Sequence, residues 1–215
     1  MTNPPYDPAN EGAQMSFDGR MSYADYLDLD QILGAQNPIS DAHDELLFII
    51  QHQTSELWMR LCLHELTAAR EAVRTDHLPE AFKLLARVSR IFEQLNSAWD
   101  VLRTMTPSDY TMFRDALGQS SGFQSHQYRM IEFVLGNRNP AMLRAHEHRP
   151  QIMAAFEAEL ARPSLYAEAI ALAGRRGHDV PDLPAARKPH EPRPQIVALW
   201  KAVYSDTTTH WTLYE

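Results

Sequence analysis

The sequence predicts an all-α fold, a helical bundle with long antiparallel helices. Three observations carry this. Residues 46–63, LLFIIQHQTSELWMRLCL, repeat apolar side chains at helical spacing and read as one long helix. Leu85, Val88, Phe92, Leu95, Trp99 and Leu102 follow one another at 3, 4, 3, 4 and 3, the seam of an antiparallel bundle. No convincing alternation of apolar and polar residues predicts a strand, and there is no internal repeat.

The elements follow in order. Residues 1–16 are rich in Pro, Asn and Gly and predict a mobile arm without regular structure. Residues 17–215 then read as one domain. Ser22-Tyr-Ala-Asp25 resembles a capping box with Asp in place of Glu, opening a short helix that ends at Gly34. Asp41 or His43 precedes the long helix, with Asp44 and Glu45 in its first turn. Its buried stripe is expected at Leu46, Ile50, Leu57 and Leu61, with Phe48, His52, Ser55 and Met59 on a neighbouring face. Pro79 opens the seam helix. Thr106 caps a shorter one with Pro107 at its first position, stopping at Gly118. The loop 119–122 follows, then a helix through Phe133 and Leu135 to Gly136, and Asn139-Pro140 starts another. Residues 181–194 hold five prolines and predict an extended connector. A last helix from Gln195 carries Ile196, Leu199, Trp200, Val203 and Tyr204.

Composition excludes several classes. With 28 acids against 20 bases the net charge is -8, which argues against a general nucleic-acid binder. No apolar run is long enough to span a bilayer, and the polar, proline-rich start lacks a signal peptide's basic and apolar regions. A single cysteine, Cys62, excludes an internal disulfide, fits a reducing cytoplasm and reads as a packed thiol. The ten histidines have poor ligand spacing: His64-Glu65 lacks a second histidine, and His146 and His148 are expected solvated on different sides of a helix. Gly118-Gln-Ser120-Ser-Gly122 matches the hydrolase expression G-x-S-x-G, but a helix precedes it where that motif needs a strand. Its backbone and hydroxyl donors suit the lining of a cofactor or substrate group.

Two constellations carry chemistry. The polar run 51–56 interrupts an apolar helix, and burying amides and an imidazole requires partners, so it implies a polar cavity, a wet interface or a ligand. Phe48 and His52, four apart, project together into that space. The plainer alternative is a core histidine bonded to a neighbouring helix. Tyr110 and Arg114 share a second helical face, while Phe113 and Leu117 share another. Arg holds a carboxylate through two parallel hydrogen bonds, and Tyr adds a hydroxyl beside a ring, which suits an aromatic amino acid. A surface Arg paired with Asp115 or another acid is the competing reading.

With both in hand, the chain resembles the tryptophan 2,3-dioxygenase family over residues 21–215. The specific strings are Phe48-Ile-Ile-Gln-His-Gln-Thr-Ser-Glu-Leu-Trp58, Thr106-Pro-Ser-Asp-Tyr110 with Phe113-Arg114, and Ser120-Ser-Gly-Phe-Gln124 leading to Gln127-Tyr-Arg129. The resemblance implies a cytoplasmic homotetramer with one haem b per subunit. It also implies L-tryptophan and O2 as substrates and N-formyl-L-kynurenine as product, the first step of tryptophan degradation by the kynurenine pathway.

By the same resemblance His52 is the distal, catalytic histidine, a positioning partner for the indole N–H rather than an obligatory base. Phe48, Ile49, Ile50, Gln51 and His52 form a substrate-binding run, with Phe48 on the indole ring. Arg114 clamps the carboxylate with support from Tyr110. Ser121 and Gly122 line the haem side, Trp99 and Leu117 the apolar wall, and Tyr23, Tyr26 and Leu27 match a helix that closes a neighbouring subunit's pocket. The family's proximal haem histidine is expected beyond residue 215, and His210 is not assigned as a ligand. Trp211, Leu213 and Tyr214 continue an apolar stripe with no closing signal, so the chain is expected to be C-terminally incomplete relative to the family. The alternatives are a related haem oxygenase for another aromatic amino acid or indole derivative, and a haem-free helical oligomer that binds aromatic amino acids.

Overall fold

Helices supply all the regular structure in the computed structural model, which describes residues 6–181, 193–206, 208, 209 and 213. The arm holds one short 3-10 turn, Pro8–Glu11, because the Asp7 side chain accepts from the Ala9 N–H at 3.0 Å. The expected capping box at Ser22 and Asp25 is formed. It opens two helices rather than one, α1 (Tyr23–Leu27) and α2 (Leu29–Leu33), because Asp28 between them turns left-handed at φ 53°. A short polar side chain tolerates that conformation better than most.

The long helix α3 (His43–Arg74) runs 32 residues, past the predicted end at 63. Neither Asp41 nor His43 caps it. Ala42 holds the cap position, and the buried Glu45 carboxylate reaches back to the Ile39 and Ser40 N–H groups at 2.8 Å each. A turn with Asp76 at φ 63° reverses the chain into α4 (Leu78–Ser97). Met59, Cys62 and Leu66 of α3 pack on Val88 and Ile91 of α4, with Leu85, Phe92 and Leu95 at the margin. The seam stops there: α5 (Trp99–Leu102) is a separate turn, and Trp99 is 53% exposed.

The expected buried stripe of α3 is corrected. Leu46 and Ile50 are each 44% exposed, Leu57 is 56% exposed and Leu61 is only half-buried. The inward face is the neighbouring one, through Met59, Cys62, Glu65, Leu66 and Ala69. Within the polar run the hydroxyls are satisfied locally: the half-buried Ser55 donates to the Gln51 carbonyl at 2.9 Å, and the exposed Thr54 to the Ile50 carbonyl at 2.9 Å. The desolvated Cys62 thiol is pushed up to about 11, as a packed rather than reactive thiol should be.

Thr106 caps α6 (Pro107–Arg114) in a full capping box with Asp109, whose carboxyl is held below its usual range by the Thr106 hydroxyl. Turns then lead through Gly118, at φ 56°, to a 3-10 turn, Gly122–Gln124, and α7 (His126–Leu135). The Asn139-Pro140 element is 3-10 rather than α, Pro140–His146. The next helices, α8 (Pro150–Leu160) and α9 (Leu165–Arg175), have no counterpart in the sequence reading; α10 (Pro194–Ser205) has one. His146 is not solvated. It is 2% exposed, edge-on to Phe156 at 5.2 Å, and desolvation lowers its pKa. Arg70 of α3 pairs with Glu159 of α8, both buried, and Arg138 lies 3.8 Å from the same carboxylate. A second core joins the end of α3 and start of α4 to α9 and α10 through Val73, Leu78, Ile170, Ala173, Leu199 and Val203. Most of the proline-rich connector, His210, Trp211 and Tyr214 lie outside the described residues.

Candidate active site

α6 lies across the first half of α3 and brings two rings, Tyr110 and Phe113, to Phe48, whose own helix adds His52. The Phe48 centroid is 4.2 Å from the His52 ring, 5.9 Å from Tyr110 and 5.5 Å from Phe113. Tyr110 and Phe113 meet edge to face at 5.4 Å. Such offset and T-shaped contacts match the quadrupoles of the rings and fix their planes. Phe113 is fully buried and anchors the cluster, so α6 cannot slide without moving Tyr110.

Beside this cluster lies a hollow of about 550 Å³, bounded by Phe48 and His52 on one side and by Leu117, Ser121, Gly122 and Gln127 on the other. That volume suits a small organic ligand. His52 Nδ1 stands 2.8 Å from the Phe48 carbonyl. A carbonyl only accepts, so Nδ1 carries the proton, and in the neutral ring Nε2 is left with a lone pair. Nε2 faces Gly122: a Cβ added there would stand 4.0 Å from it. The hollow therefore presents the His52 Nε2 acceptor, the Glu56 carboxylate, an aromatic face and a wall of bare backbone and hydroxyls. An aromatic N–H donor is the complementary group.

The loop wall is ordered by its own polar groups. Ser121 Oγ accepts from the Phe123 N–H at 3.3 Å, and Gln124 Oε1 accepts from the Ser121 N–H at 3.3 Å. Helix and turn precede Ser120, and no strand occurs among the described residues, so the geometry of a nucleophilic serine is not built.

Arg114 follows Tyr110 by one turn of α6 and is half-buried. One Nη1–H donates to the Gly118 carbonyl at 2.9 Å. Among the described residues no carboxylate lies within ion-pair distance, so the surface pairing with Asp115 is not formed. The remaining N–H groups of the fork have no acceptor there. That leaves a guanidinium ready for an external carboxylate.

Neither Tyr110 nor Arg114 lines the hollow itself; Tyr110 adjoins it through its ring contact with Phe48, and several other expected residues do not border it either. Ile49 is half-buried, Ile50 exposed and Gln51 buried, and none of the three lines it. Tyr23 and Tyr26 are each 74% exposed and Leu27 is half-buried, and neither these nor Trp99 lines the hollow. Ser120 lines the hollow as part of the loop whose hydroxyl and backbone donors suit that place, while Glu56, Gln124, Ser125, His126 and Gln127 line it without having been assigned a role. A signal for Glu56 was present, since it lies four residues after His52 on the same face. The other four follow from loop geometry that no spacing rule encodes. Among the described residues, no three His, Cys, Asp or Glu side chains gather closely enough to hold a metal ion, and no helix is long and apolar enough to cross a membrane.

Comparison with known proteins supplies an independent reading. The family model described as tryptophan 2,3-dioxygenase matches residues 7–183. The tryptophan 2,3-dioxygenase of Bradyrhizobium sp. (strain BTAi1) is 62% identical over 218 residues, covering 100% of this chain and 78% of that protein. Its counterpart in Ruegeria sp. (strain TM1040) is 61% identical, again over 100% and 78%. That of Pseudomonas fluorescens (strain Pf-5) is 55% identical over 100% and 76%.

Proposed function

The chain belongs to the tryptophan 2,3-dioxygenase family, and from that premise we propose that it binds L-tryptophan in the hollow between α3 and residues 117–127. With haem b and O2, the reaction inserts both oxygen atoms across the indole C2–C3 bond and yields N-formyl-L-kynurenine, opening tryptophan degradation by the kynurenine pathway. The observation that carries this is the proton-locked His52 ring, tilted against Phe48 at 4.2 Å with its Nε2 lone pair turned toward Gly122. An indole N–H is the ligand group that this lone pair can accept.

The hollow also fits one face of a haem. Leu117 and Phe48 offer apolar surface, while Gly122 presents bare backbone opposite His52, where an added Cβ would stand 4.0 Å from Nε2. Haem iron, when bound, supplies the activation of O2. The chain's own residues supply orientation. Phe48 stacks on the indole, His52 accepts its N–H without needing to remove the proton, and Arg114 takes the carboxylate with Tyr110 beside it. The names of the relatives favour neither a different aromatic substrate nor a haem-free binder.

We also assign a cytoplasmic homotetramer. Leu46, Ile50, Leu57 and Trp58 leave an apolar face of α3 open, and Tyr23 and Tyr26 stand out from the chain; both suit burial against a second copy. In that assembly Tyr23, Tyr26 and Leu27 would close a neighbour's hollow.

The test is to add haem and follow the Soret band, then L-tryptophan with ascorbate and O2 and follow formylkynurenine absorbance. A Soret shift on adding tryptophan and formation of product are expected. A chain that takes up haem but neither shifts nor turns over would overturn the assignment.

A further inference from the structure

Resting on the tryptophan reading of the hollow, we propose that Glu56 and Gln127 form a positioning pair that sets the width of the ligand slot between His52 and Gly122. The two walls of the slot differ in how they are held. His52 sits on α3, whose next turns are buried in the core through Met59, Cys62 and Leu66. The facing segment is exposed from Ser120 to Gln124 and gains core packing from Met130 onward, through Ile131, Phe133 and Val134 of α7. Between these regimes one polar side chain ties the segment to α3. Gln127 Nε2 donates to both the backbone carbonyl and the Oε2 of Glu56, each at 2.8 Å. The only other polar link from residues 119–127 to α3 among the described residues is a weak contact of Ser125 Oγ with Met59 Sδ at 4.0 Å.

The chemistry fixes the pair's orientation. Both groups facing the amide are oxygen acceptors, so the NH2 end must point at them; a flipped amide would set oxygen against oxygen. One of the two bonds is charge-assisted and stronger than a neutral one. Glu56 lies one helical turn beyond His52, and Gln127 five residues beyond Gly122 in the first turn of α7. A tie at this junction thus fixes how closely the Gly122 backbone approaches His52 Nε2. Neither residue needs to touch the indole ring for the slot to depend on both.

The test measures L-tryptophan affinity of the haem-loaded protein by titration of the Soret band, with helical circular dichroism to verify folding. Gln127→Met, which keeps the length but donates nothing, is expected to weaken binding roughly tenfold, the value of a charge-assisted bond lost. Glu56→Gln retains an acceptor and should stay within about threefold of wild type. Glu56→Met alone should weaken binding. Added to Gln127→Met, it should cost no more than about a further twofold, because the shared bond is already gone. Wild-type affinity in folded Gln127→Met overturns the pairing, as do losses that multiply in the double variant. If wild-type protein itself binds no tryptophan, the reading of the hollow fails instead, and the pair falls with it.

Discussion

Replacing His52 by Leu tests the proton assignment on its ring more sharply than loss of activity could. The Phe48 carbonyl, 2.8 Å from Nδ1, forces Nε2 to be an acceptor, so it contributes only toward ligands that bring a donor. L-Tryptophan brings an indole N–H; its benzothienyl analogue, with sulfur at that position, has a similar shape and no donor. Facing the analogue, the half-buried Nε2 lone pair has no partner in the slot. The difference is one hydrogen bond, about 1 kcal/mol, or roughly a fivefold preference for tryptophan in kcat/KM or Kd. In His52→Leu that preference should collapse toward unity, even as both ligands weaken through lost packing beside Phe48. Competition binding of the two ligands to both proteins measures it. An undiminished preference in His52→Leu would place the donor's partner elsewhere and refute the tautomer argument.

Three further outcomes follow from other parts of the structure. Arg114→Ala should weaken tryptophan binding by about 2–4 kcal/mol, seen mainly in KM, and should leave binding of indole, which has no carboxylate, unchanged. In the buried cluster, Glu159→Leu should cost more stability in urea unfolding than Arg70→Met, about 3–5 kcal/mol. Arg138, at 3.8 Å, can take over a stranded Glu159, whereas losing the acid leaves two buried cations facing each other. His146 has a lowered pKa because burial disfavours its charged form. The unfolded chain therefore takes up that proton first, and stability present above about 6.5 is lost as pH falls through it. His146→Phe should flatten the decline between pH 7.5 and 5.5 in unfolding midpoints.

How much was legible in the sequence depended on whether the signal was local. Capping at Ser22 and Thr106 is a contest among residues three apart: the box read at Ser22 and the cap read at Thr106 both form, the latter completed by Asp109. The α4 period is strict as far as Leu95 because one partner helix, α3, lies along it. The α3 stripe went wrong for the opposite reason. Periodicity says that Leu46, Ile50 and Leu57 share a face, not what covers it, and among the described residues they stay 44–56% exposed. Glu45 escaped notice as a cap because it reaches backward over six residues to Ile39, outside the usual box. At the site, Phe48, His52 and Tyr110 were readable and do meet. The Glu56–Gln127 tie joins residues 71 positions apart, which no spacing rule can anticipate.

The unbroken length of α3 makes the binding slot mechanically lopsided. One side is a stiff beam: shifting the imidazole would drag Cys62 and Leu66 through close-packed interior. The opposite side is a compliant strip, pinned at intervals and bathed in solvent. Substituents on the bicycle that press toward the beam will be refused, whereas those pressing toward residues 120–124 will find backbone able to yield. Chemical tolerance among ligand derivatives should therefore run along one edge of the ring system and not the other.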